Sequence, residues 1–232
     1  MSDEASAIPV HVGYIVDGNR RWAKKHGLPA YEGHLAGYNA LKEVLIETAG
    51  AGVKYTSAYV FSTENWKRSR DEVKKLLSLV LKLLTSDLPE FHKHNIRLKV
   101  VGSRVGLDAK IIKSIENAEQ ETANNTAGEF LLCFNYGGQL EIAEAVKSII
   151  TAGVAASEIT EATITEHIYA PEVPPVDLIV RTGGEQRISN FMLWRAAYSE
   201  FLFLEKSWPD MTKNDVTAIM KEYAKRQRRF GS

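Results

Sequence analysis

The chain alternates between short apolar segments and longer segments in which apolar residues recur every three or four positions. The short segments predict strands, because a strand buried on both faces of a sheet is a nearly continuous apolar run. The longer ones predict amphipathic helices. Predicted strands cover 10–16, 55–61, 96–101, 129–135, 176–181 and 201–204, and predicted helices cover 35–49, 73–91, 108–118, 139–150 and 212–228.

Helices of this length between strands require crossover connections, so we expect an α/β fold with a mainly parallel central sheet and helices on both sides. No repeat, low-complexity tract or linker divides the chain. We therefore expect a single domain over 10–232, preceded by a flexible N-terminus over 1–9. In parallel sheets of this kind, ligands bind beyond the carboxyl ends of the strands.

Composition excludes several classes of protein. The 232 residues are 44% hydrophobic and carry 29 Lys and Arg against 29 Asp and Glu, which is not typical of a disordered chain or a general nucleic-acid binder. The single cysteine, Cys133, lies in an apolar run and indicates a buried thiol in a reducing compartment. The start is acidic and no apolar run exceeds five residues, so we expect a soluble cytoplasmic protein.

Two polar segments follow predicted strands and each carries a pair of arginines. In the first, Asp17 precedes Arg20 and Arg21 where a helix is expected to begin. Guanidinium groups and free backbone N–H groups suit a phosphate, and the carboxylate suits a hard cation bridging to it. The alternative is that Asp17 only caps the helix and the arginines lie on a solvated surface.

The second basic segment contains Arg181 and Arg187 on either side of a Gly-Gly pair. We expect Ser189 to open the next helix, where its hydroxyl caps the helix or binds a phosphate oxygen. A tight turn with exposed arginines is the alternative. Two such turns at one sheet edge indicate two phosphorylated groups held close together.

Common phosphate and metal motifs are absent from the sequence. There is no GxxxxGK[ST] segment, no GxGxxG after the first strand, and no histidine spacing typical of zinc sites. Asp17 could serve as the nucleophile of an aspartyl phosphatase, but Asn19 stands where the second aspartate is expected. That function therefore stays a weaker candidate.

Five motifs run in order through nearly the whole chain. They are Asp17–Ala23, Gly33-His34-x-x-Gly37, Phe61–Trp66, Asn135–Gly138, and the stretch from Asp177 through Glu200. In this order they resemble the cis-prenyltransferases, the undecaprenyl diphosphate synthase family. The resemblance implies a Mg²⁺-dependent enzyme with a hydrophobic tunnel, which condenses isopentenyl diphosphate onto an allylic prenyl diphosphate in cis (Z) configuration and releases pyrophosphate.

The resemblance also implies roles for individual residues. Asp17 matches the catalytic aspartate that binds magnesium, Glu200 a second magnesium-linked carboxylate, and Asn65 a catalytic loop residue placed with Ser62 near the reacting carbons. Residues matched to the binding of either substrate are Gly18, Asn19, Arg20, Arg21, Trp22, His34, Ser62, Glu64, Trp66, Arg68, Arg181, Arg187, Ser189, Arg229 and Gly231.

Arg229 and Gly231 match an R-x-G element that reaches the partner subunit's isopentenyl site, so the resemblance implies a homodimer. It also leaves room for peripheral contact with the inner face of the cytoplasmic membrane. An alternative from another class is a non-catalytic partner subunit of a heteromeric enzyme. Such subunits lack the aspartate and the R-x-G element, and this chain has both.

The chain departs from the family pattern at the phosphate site and at the tunnel. Ala30 and Glu32 lie where the family often has an arginine, and Arg20 replaces a common glycine, which could restore the positive charge. Val60 is larger than the residue of long-chain members and would shorten the product. The helix over 73–91 is interpreted either as an ordinary core helix or, from the resemblance, as a tunnel wall.

Overall fold

The computed structural model describes residues 8–226, and in this range six strands form one sheet in the order β3-β4-β2-β1-β5-β6. Every neighbouring pair is parallel. The strands are β1 His11–Ile15, β2 Tyr55–Ser62, β3 Ile96–Val101, β4 Gly128–Tyr136, β5 Leu178–Arg181 and β6 Glu200–Phe203. All six predicted strands are present, so the predicted parallel α/β sheet is confirmed.

Eight α-helices connect or follow the strands in the described residues. They are α1 Asn19–Lys25, α2 Ala30–Gly50, α3 Arg70–Leu83, α4 Leu88–Lys93, α5 Ala109–Glu121, α6 Gly138–Thr151, α7 Glu161–His167 and α8 Lys213–Ala224. No apolar period predicts α7 or α1, and only the start of α1 is expected, from the polar segment after β1. The expected flexible segment lies, apart from Ile8 and Pro9, outside the described residues.

The prediction of a single long helix over 73–91 was wrong. The segment forms two helices, α3 and α4. Pro89 lies in the first turn of α4. A proline cannot donate the helical hydrogen bond and its ring clashes with the carbonyl four residues earlier, so α3 cannot continue through it. Thr85 helps to end α3 by donating its hydroxyl to the carbonyl of Leu81 (2.7 Å). The break leaves Asp87 in the turn between the two helices.

The two faces of the sheet pack against separate cores. On one face, residues such as Tyr14, Ala58 and Leu132 pack with α2, α3, α4, α5 and α8. On the other face, Leu131 and Cys133 pack with a second cluster that includes parts of 173–196. Neighbouring residues of β4 alternate between the two clusters, as the period of a strand requires.

Helices α1 and α2 touch at glycines of α2. A Cβ built on Gly33 would lie 2.1 Å from the carbonyl oxygen of Asn19, and one on Gly37 would lie 2.4 Å from the Asn19 side-chain oxygen. Both distances are far shorter than any allowed contact. The absence of side chains at these two positions therefore lets α1 approach α2. It also brings Arg20 close enough to His34 for the arginine charge to lower the histidine pKa.

We predict that Gly33→Ala destabilises the protein by about 1–3 kcal/mol, because the added methyl group must push the α1 backbone away. Gly50→Ala in the same helix is the matched control, since a Cβ there meets no atom within 4 Å. The control is expected to be neutral or to stabilise by up to about 1 kcal/mol. Urea unfolding measures both, and equal free energies of unfolding for the two variants would contradict the close contact.

Candidate active site

The three central strands end at one edge of the sheet and bring the polar segments together. β2, β1 and β5 are adjacent, and Ile15 at the end of β1 is in register with Arg181 at the end of β5. Asp17 therefore follows β1 directly beside Arg181, and Ser62 ends β2 on the other side. The two arginine-bearing turns lie at the same edge, as the sequence predicted.

Asp17 is held by hydrogen bonds from both turns. Its Oδ1 accepts from the backbone N–H of Gly18 (2.6 Å), and its Oδ2 accepts from Arg181 Nη2 (2.9 Å) and lies 3.2 Å from Arg21 Nη2. Burial raises the pKa of the Asp17 carboxyl, but the hydrogen bonds from Arg181 and Gly18 outweigh burial and hold the pKa below its usual value. Asp17 is thus an ionised carboxylate at neutral pH.

The capping alternative for Asp17 is not what the structure shows. The residue at the N-cap of α1 is Gly18, and no side chain accepts a capping hydrogen bond there. Gly18 has a φ of 103°, and a Cβ on it would lie 2.9 Å from Ser207 Oγ, so both conformation and space favour glycine. The Asp17 carboxylate is left to interact with the arginines.

Arg181 connects the two basic turns through one buried guanidinium group. Its Nη2 donates to Asp17, while its Nη1 donates to Ser189 Oγ (2.7 Å) and to the carbonyl of Arg187. The residue is only 4% exposed. Its Nε is buried and has no hydrogen-bond partner among the described residues. A buried N–H without a partner is costly, so an acceptor supplied by a ligand would satisfy it.

The helix expected to open at Ser189 does not form. Residues 185–199 are turns without a helix, and Ser189, Asn190 and Met192 have positive φ values of 49°, 67° and 47°. Asn190 instead accepts hydrogen bonds from the first backbone N–H groups of α6, from Gly138 to its carbonyl (2.7 Å) and from Gln139 to its side-chain oxygen (2.8 Å). This tertiary contact overrides the local helical preference.

The exposed arginines of both turns share one carboxylate. Glu185 lies 3.6 Å from Arg21 and 2.5 Å from Arg187. The arginine side chains are 52% and 60% exposed, so these ion pairs contribute little to stability. They keep two cationic groups together that an incoming anion can engage in place of Glu185.

The loop after β2 is ordered by its own side chains. The backbone N–H of Ser62 donates to Asn65 Oδ1 (3.1 Å), and Trp66 Nε1 donates to Asn135 Oδ1 (2.8 Å). The Trp66 ring contacts Phe61 edge to face at 5.0 Å. Glu64 accepts from Asn190 Nδ2 (3.2 Å), which ties this loop to the segment that carries Ser189.

Glu72 orients a histidine and an arginine at the edge of the site. Its Oε1 lies 3.2 Å from His34 Nε2 and accepts from Arg68 Nη1 (3.0 Å). Burial lowers the pKa of His34 below its usual value, although the hydrogen bond to Glu72 opposes that shift. A neutral His34 must carry its proton on Nε2 to donate to Glu72.

These side chains surround one end of a cavity of about 830 Å³. The cavity continues between the sheet and helices α2 and α3, where its lining is apolar. The apolar lining includes Tyr38, Leu41, Val60, Phe61, Leu76, Leu79, Val80, Leu83 and Leu132. A site that joins a cluster of cations to an apolar chamber suits a molecule with an anionic head and a hydrocarbon tail.

Twelve predicted site residues line this cavity. They are Asp17, Gly18, Asn19, Arg20, Arg21, His34, Ser62, Asn65, Arg68, Arg181, Arg187 and Ser189. Glu64 and Trp66 lie beside it without lining it. Trp22 lies elsewhere, because its Nε1 donates to Asp210 (2.6 Å) and its ring contacts His26. Arg229 and Gly231 lie outside the described residues.

The predicted pair of metal ligands, Asp17 and Glu200, is not brought together within the described chain. Glu200 begins β6 and is in register with Leu178 at the start of β5, whereas Asp17 lies beyond the other end of the sheet. The three-residue offset from Leu178 to Arg181 alone is about 10 Å. Glu200 instead accepts from Arg226 Nη1 (3.0 Å). The family motif gives the position of Glu200 in the sequence and does not specify the end of the sheet at which it lies.

Three contributors to the site were missed from the sequence: Glu72, Glu185 and Asn190. Arg68 and Glu72 are four residues apart, but Arg68 precedes α3 in extended backbone, so the rule for pairs on a helix could not have identified their contact. Glu185 and Asn190 lie inside the second basic segment, but their contacts depend on the fold.

No helix among the described residues is long and apolar enough to cross a bilayer. No group of three or more His, Cys, Asp or Glu side chains in residues 8–226 could hold a metal ion by itself.

Comparison with known proteins identifies the family. The Prenyltransf family model, which describes undecaprenyl diphosphate synthases, matches residues 15–231. This chain belongs to the undecaprenyl diphosphate synthase family. The five motifs between Asp17 and Glu200 all lie within the matched residues.

Similar proteins carry names with different products. An isoprenyl transferase of Neisseria gonorrhoeae is 44% identical over 98% of this chain and 91% of its own length. A decaprenyl diphosphate synthase of Mycobacterium leprae is 44% identical over 98% of this chain and 78% of its own. The lavandulyl diphosphate synthase of Lavandula x intermedia, solved with dimethylallyl diphosphate, is 33% identical with a TM-score of 0.92 and covers 97% and 99% of the two chains.

Proposed function

We propose that this isoprenyl transferase condenses isopentenyl diphosphate with an allylic prenyl diphosphate in cis configuration, forming a polyprenyl diphosphate and pyrophosphate. The observation that carries the proposal is the position of Arg181. Its buried guanidinium group lies between Asp17 of one basic turn and Ser189 of the other, at the polar end of a largely apolar cavity. Family membership supports the same reaction.

Each basic turn is suited to one diphosphate. Arg20 and Arg21 border the cavity on the β1 side, and Arg187 and Ser189 border it on the β5 side. Guanidinium groups bind phosphate oxygens through paired, charge-assisted hydrogen bonds, which are about twice as strong as neutral ones. We assign the allylic diphosphate to the first turn and isopentenyl diphosphate to the second.

The side chains at the first turn fit a magnesium ion. Mg²⁺ is commonly held by one or two carboxylates together with substrate phosphates, and keeps several waters. Asp17 provides one ionised carboxylate, 31% exposed, whose neighbours are cations that also suit a diphosphate. We therefore propose that Asp17 holds Mg²⁺ only together with the substrate. The bound ion would neutralise charge on the leaving pyrophosphate.

In the proposed reaction, the allylic carbon–oxygen bond breaks and its electron pair leaves with the pyrophosphate. The double bond of isopentenyl diphosphate forms the new bond to that allylic carbon, and a proton is then lost. Arg20 and Arg21 stabilise the negative charge that develops on the leaving group. Ser62 and Asn65 also line the cavity, where they can orient the reacting carbons.

Positioning and burial account for the rest of the proposed mechanism. Holding two reacting groups in contact can lower a barrier by about 7–11 kcal/mol. The apolar part of the cavity receives the hydrocarbon, because each CH₂ group that leaves water contributes about 0.8 kcal/mol. We propose that this part is the hydrophobic tunnel expected from the family, with Leu76, Leu79 and Leu83 of α3 in its wall.

Neither alternative function gains support from the geometry. A non-catalytic partner subunit has no use for the ionised Asp17 bound to two arginines. A phosphatase would need a proton donor two residues after the nucleophile, but Asn19 packs its side chain against Gly37 of α2. Turnover by the purified chain alone rejects the first, and failure to hydrolyse simple phosphomonoesters rejects the second.

We predict that Asp17→Ala retains the fold and lowers turnover by about 10³ or more, as expected for loss of a charge-stabilising group. The assay follows incorporation of labelled isopentenyl diphosphate with farnesyl or geranyl diphosphate and Mg²⁺. Asp108→Ala is the matched control, because Asp108 is a true capping residue whose side chain accepts from Ile111 N (2.9 Å). The control loses about 1 kcal/mol of stability and keeps its turnover. Near-normal turnover of folded Asp17→Ala would refute the proposal.

We also propose a homodimer in which Arg229 of one subunit completes the isopentenyl site of the other. Support comes from the R-x-G match and from Glu200, which binds Arg226 only three residues before Arg229. Glu200 would then act by fixing the start of the terminal segment.

Mixing two inactive variants tests this arrangement. Asp17→Ala and Arg229→Ala subunits, refolded together, are expected to regain turnover, because each mixed dimer has one site with both residues intact. Each variant alone is the control. If the mixture is as inactive as its components while sedimentation shows mixed dimers, Arg229 serves its own subunit and the proposal is wrong.

The apolar product suggests a location. We propose a cytoplasmic enzyme with peripheral contact at the inner membrane face, where the hydrocarbon can leave the cavity without entering water. Recovery of the enzyme solely in the soluble fraction of cells that accumulate product would oppose the membrane contact.

A further inference from the structure

Tyr38 belongs to the apolar lining of the cavity and lies near the end of α3 that is farther from the polar side chains Arg68 and Glu72. It is one turn beyond His34 on the same face of α2, which places it about 6 Å farther from the polar end. The residue is 7% exposed and lines the cavity together with Leu41 and Leu83. Leu83 is the last residue of α3, so Tyr38 faces the point where that helix ends.

The Tyr38 side chain crosses the space between the two helices that wall the cavity. Its hydroxyl donates to Asp87 Oδ2, and Asp87 lies in the turn that breaks α3 from α4. Without that break, Asp87 would lie on a continuous helix instead of in a turn. The Tyr38 ring therefore spans the gap from α2 to the turn that follows α3.

A cluster of charged side chains fixes the position of the Tyr38 ring. Lys42 Nζ lies 3.0 Å from Asp87 Oδ2 and 3.3 Å from Glu90 Oε2. The ammonium groups of Lys42 and Lys82 lie 5.4 Å and 5.3 Å from the centre of the Tyr38 ring. Cations at this distance are attracted to the face of an aromatic ring. Asp87 is 11% exposed, so water screens its hydrogen bond and ion pair only in part.

The same cluster is a poor surface for a hydrocarbon. Burial raises the pKa of Asp87, but the hydrogen bond from Tyr38 and the pairing with Lys42 outweigh it and lower the pKa, so the carboxylate is ionised. An alkyl chain pushed past Tyr38 would strip water and hydrogen bonds from charged groups without replacing them. Growth in this direction becomes unfavourable once the chain reaches the ring.

We propose that Tyr38, held by Asp87, forms the end wall of the apolar part of the cavity and determines the length of hydrocarbon that the enzyme accepts. This inference rests on the proposed function and specifies its product.

Product sizing tests the proposal. With labelled isopentenyl diphosphate, geranyl diphosphate and Mg²⁺, Tyr38→Ala is expected to lengthen the main product by at least one isoprene unit. Tyr31→Ala is the matched control, because Tyr31 is also on α2 and also lies under a lysine, Lys75 at 5.5 Å, but does not line the cavity. The control keeps the product length. An unchanged product from folded Tyr38→Ala would overturn the proposal.

Two further variants separate the role of the Tyr38 ring from the role of its hydroxyl. Tyr38→Leu keeps an apolar side chain for the core but cannot reach Asp87, so it lengthens the product even where Tyr38→Ala fails to fold. Tyr38→Phe keeps the ring and loses the hydroxyl, so its product distribution is expected to broaden. A Tyr38→Phe distribution identical to that of the unmodified chain would refute the holding role of Asp87.

A binding measurement distinguishes failure of this inference from failure of the proposed function. Non-reacting prenyl thiodiphosphates of increasing length are expected to bind about fourfold tighter for each CH₂ that is buried, up to the length that meets Tyr38. In Tyr38→Leu the gain continues for at least one more isoprene unit. A shifted limit without any condensation activity would refute only the reaction, and an unshifted limit in an active enzyme would refute only the end wall.

Discussion

The site depends on the buried guanidinium group of Arg181. A buried charge is tolerated only when it is paired and hydrogen-bonded, and here the pairing spans two separate parts of the chain. Asp17 supplies the counter-charge, while Ser189 and the Arg187 carbonyl occupy the other side of the group. One carboxylate faces two arginines, and Arg181 Nε has no partner among the described residues. This excess of donors over acceptors is the preorganised state that an anionic substrate completes.

The parallel sheet explains which parts of this site were predictable. Strands buried on both faces leave continuous apolar runs, so β1, β2 and β5 could be located from the sequence, and the parallel rule then placed Asp17 and Arg181 at one edge. The parallel rule does not apply to Glu200, because a family motif gives order along the chain and does not say at which end of a strand a residue lies. The single helix expected over 73–91 is wrong for a different reason: the apolar period continues across Pro89, although a proline ends the helix before it.

The segment that carries Ser189 was unpredictable because distant groups determine its shape. Besides Asn190, it is anchored by Arg195, which is 4% exposed and pairs with the buried Glu141 (3.0 Å). Arg195 also donates to the carbonyls of Tyr169 and Ala170. Buried ion pairs add little net stability, so the role of this one is geometric: it fixes the far end of 185–199 against α6 and the loop that precedes β5. No local pattern in that segment reports such contacts.

The cavity has cations at its polar end and apolar walls, and a second charged cluster lies behind Tyr38 without lining the cavity. At the polar end, arginines with spare donors attract an anionic head; in the second cluster, Lys42 and Asp87 are already satisfied by each other and by Tyr38. The two clusters differ in whether their hydrogen-bond donors already have partners. Spare donors make desolvation by a diphosphate favourable, whereas a closed set of partners makes desolvation by a hydrocarbon unfavourable. A charged cluster that lines the cavity and one that lies behind its wall can therefore have opposite roles, the first binding an anionic head and the second limiting a hydrocarbon tail.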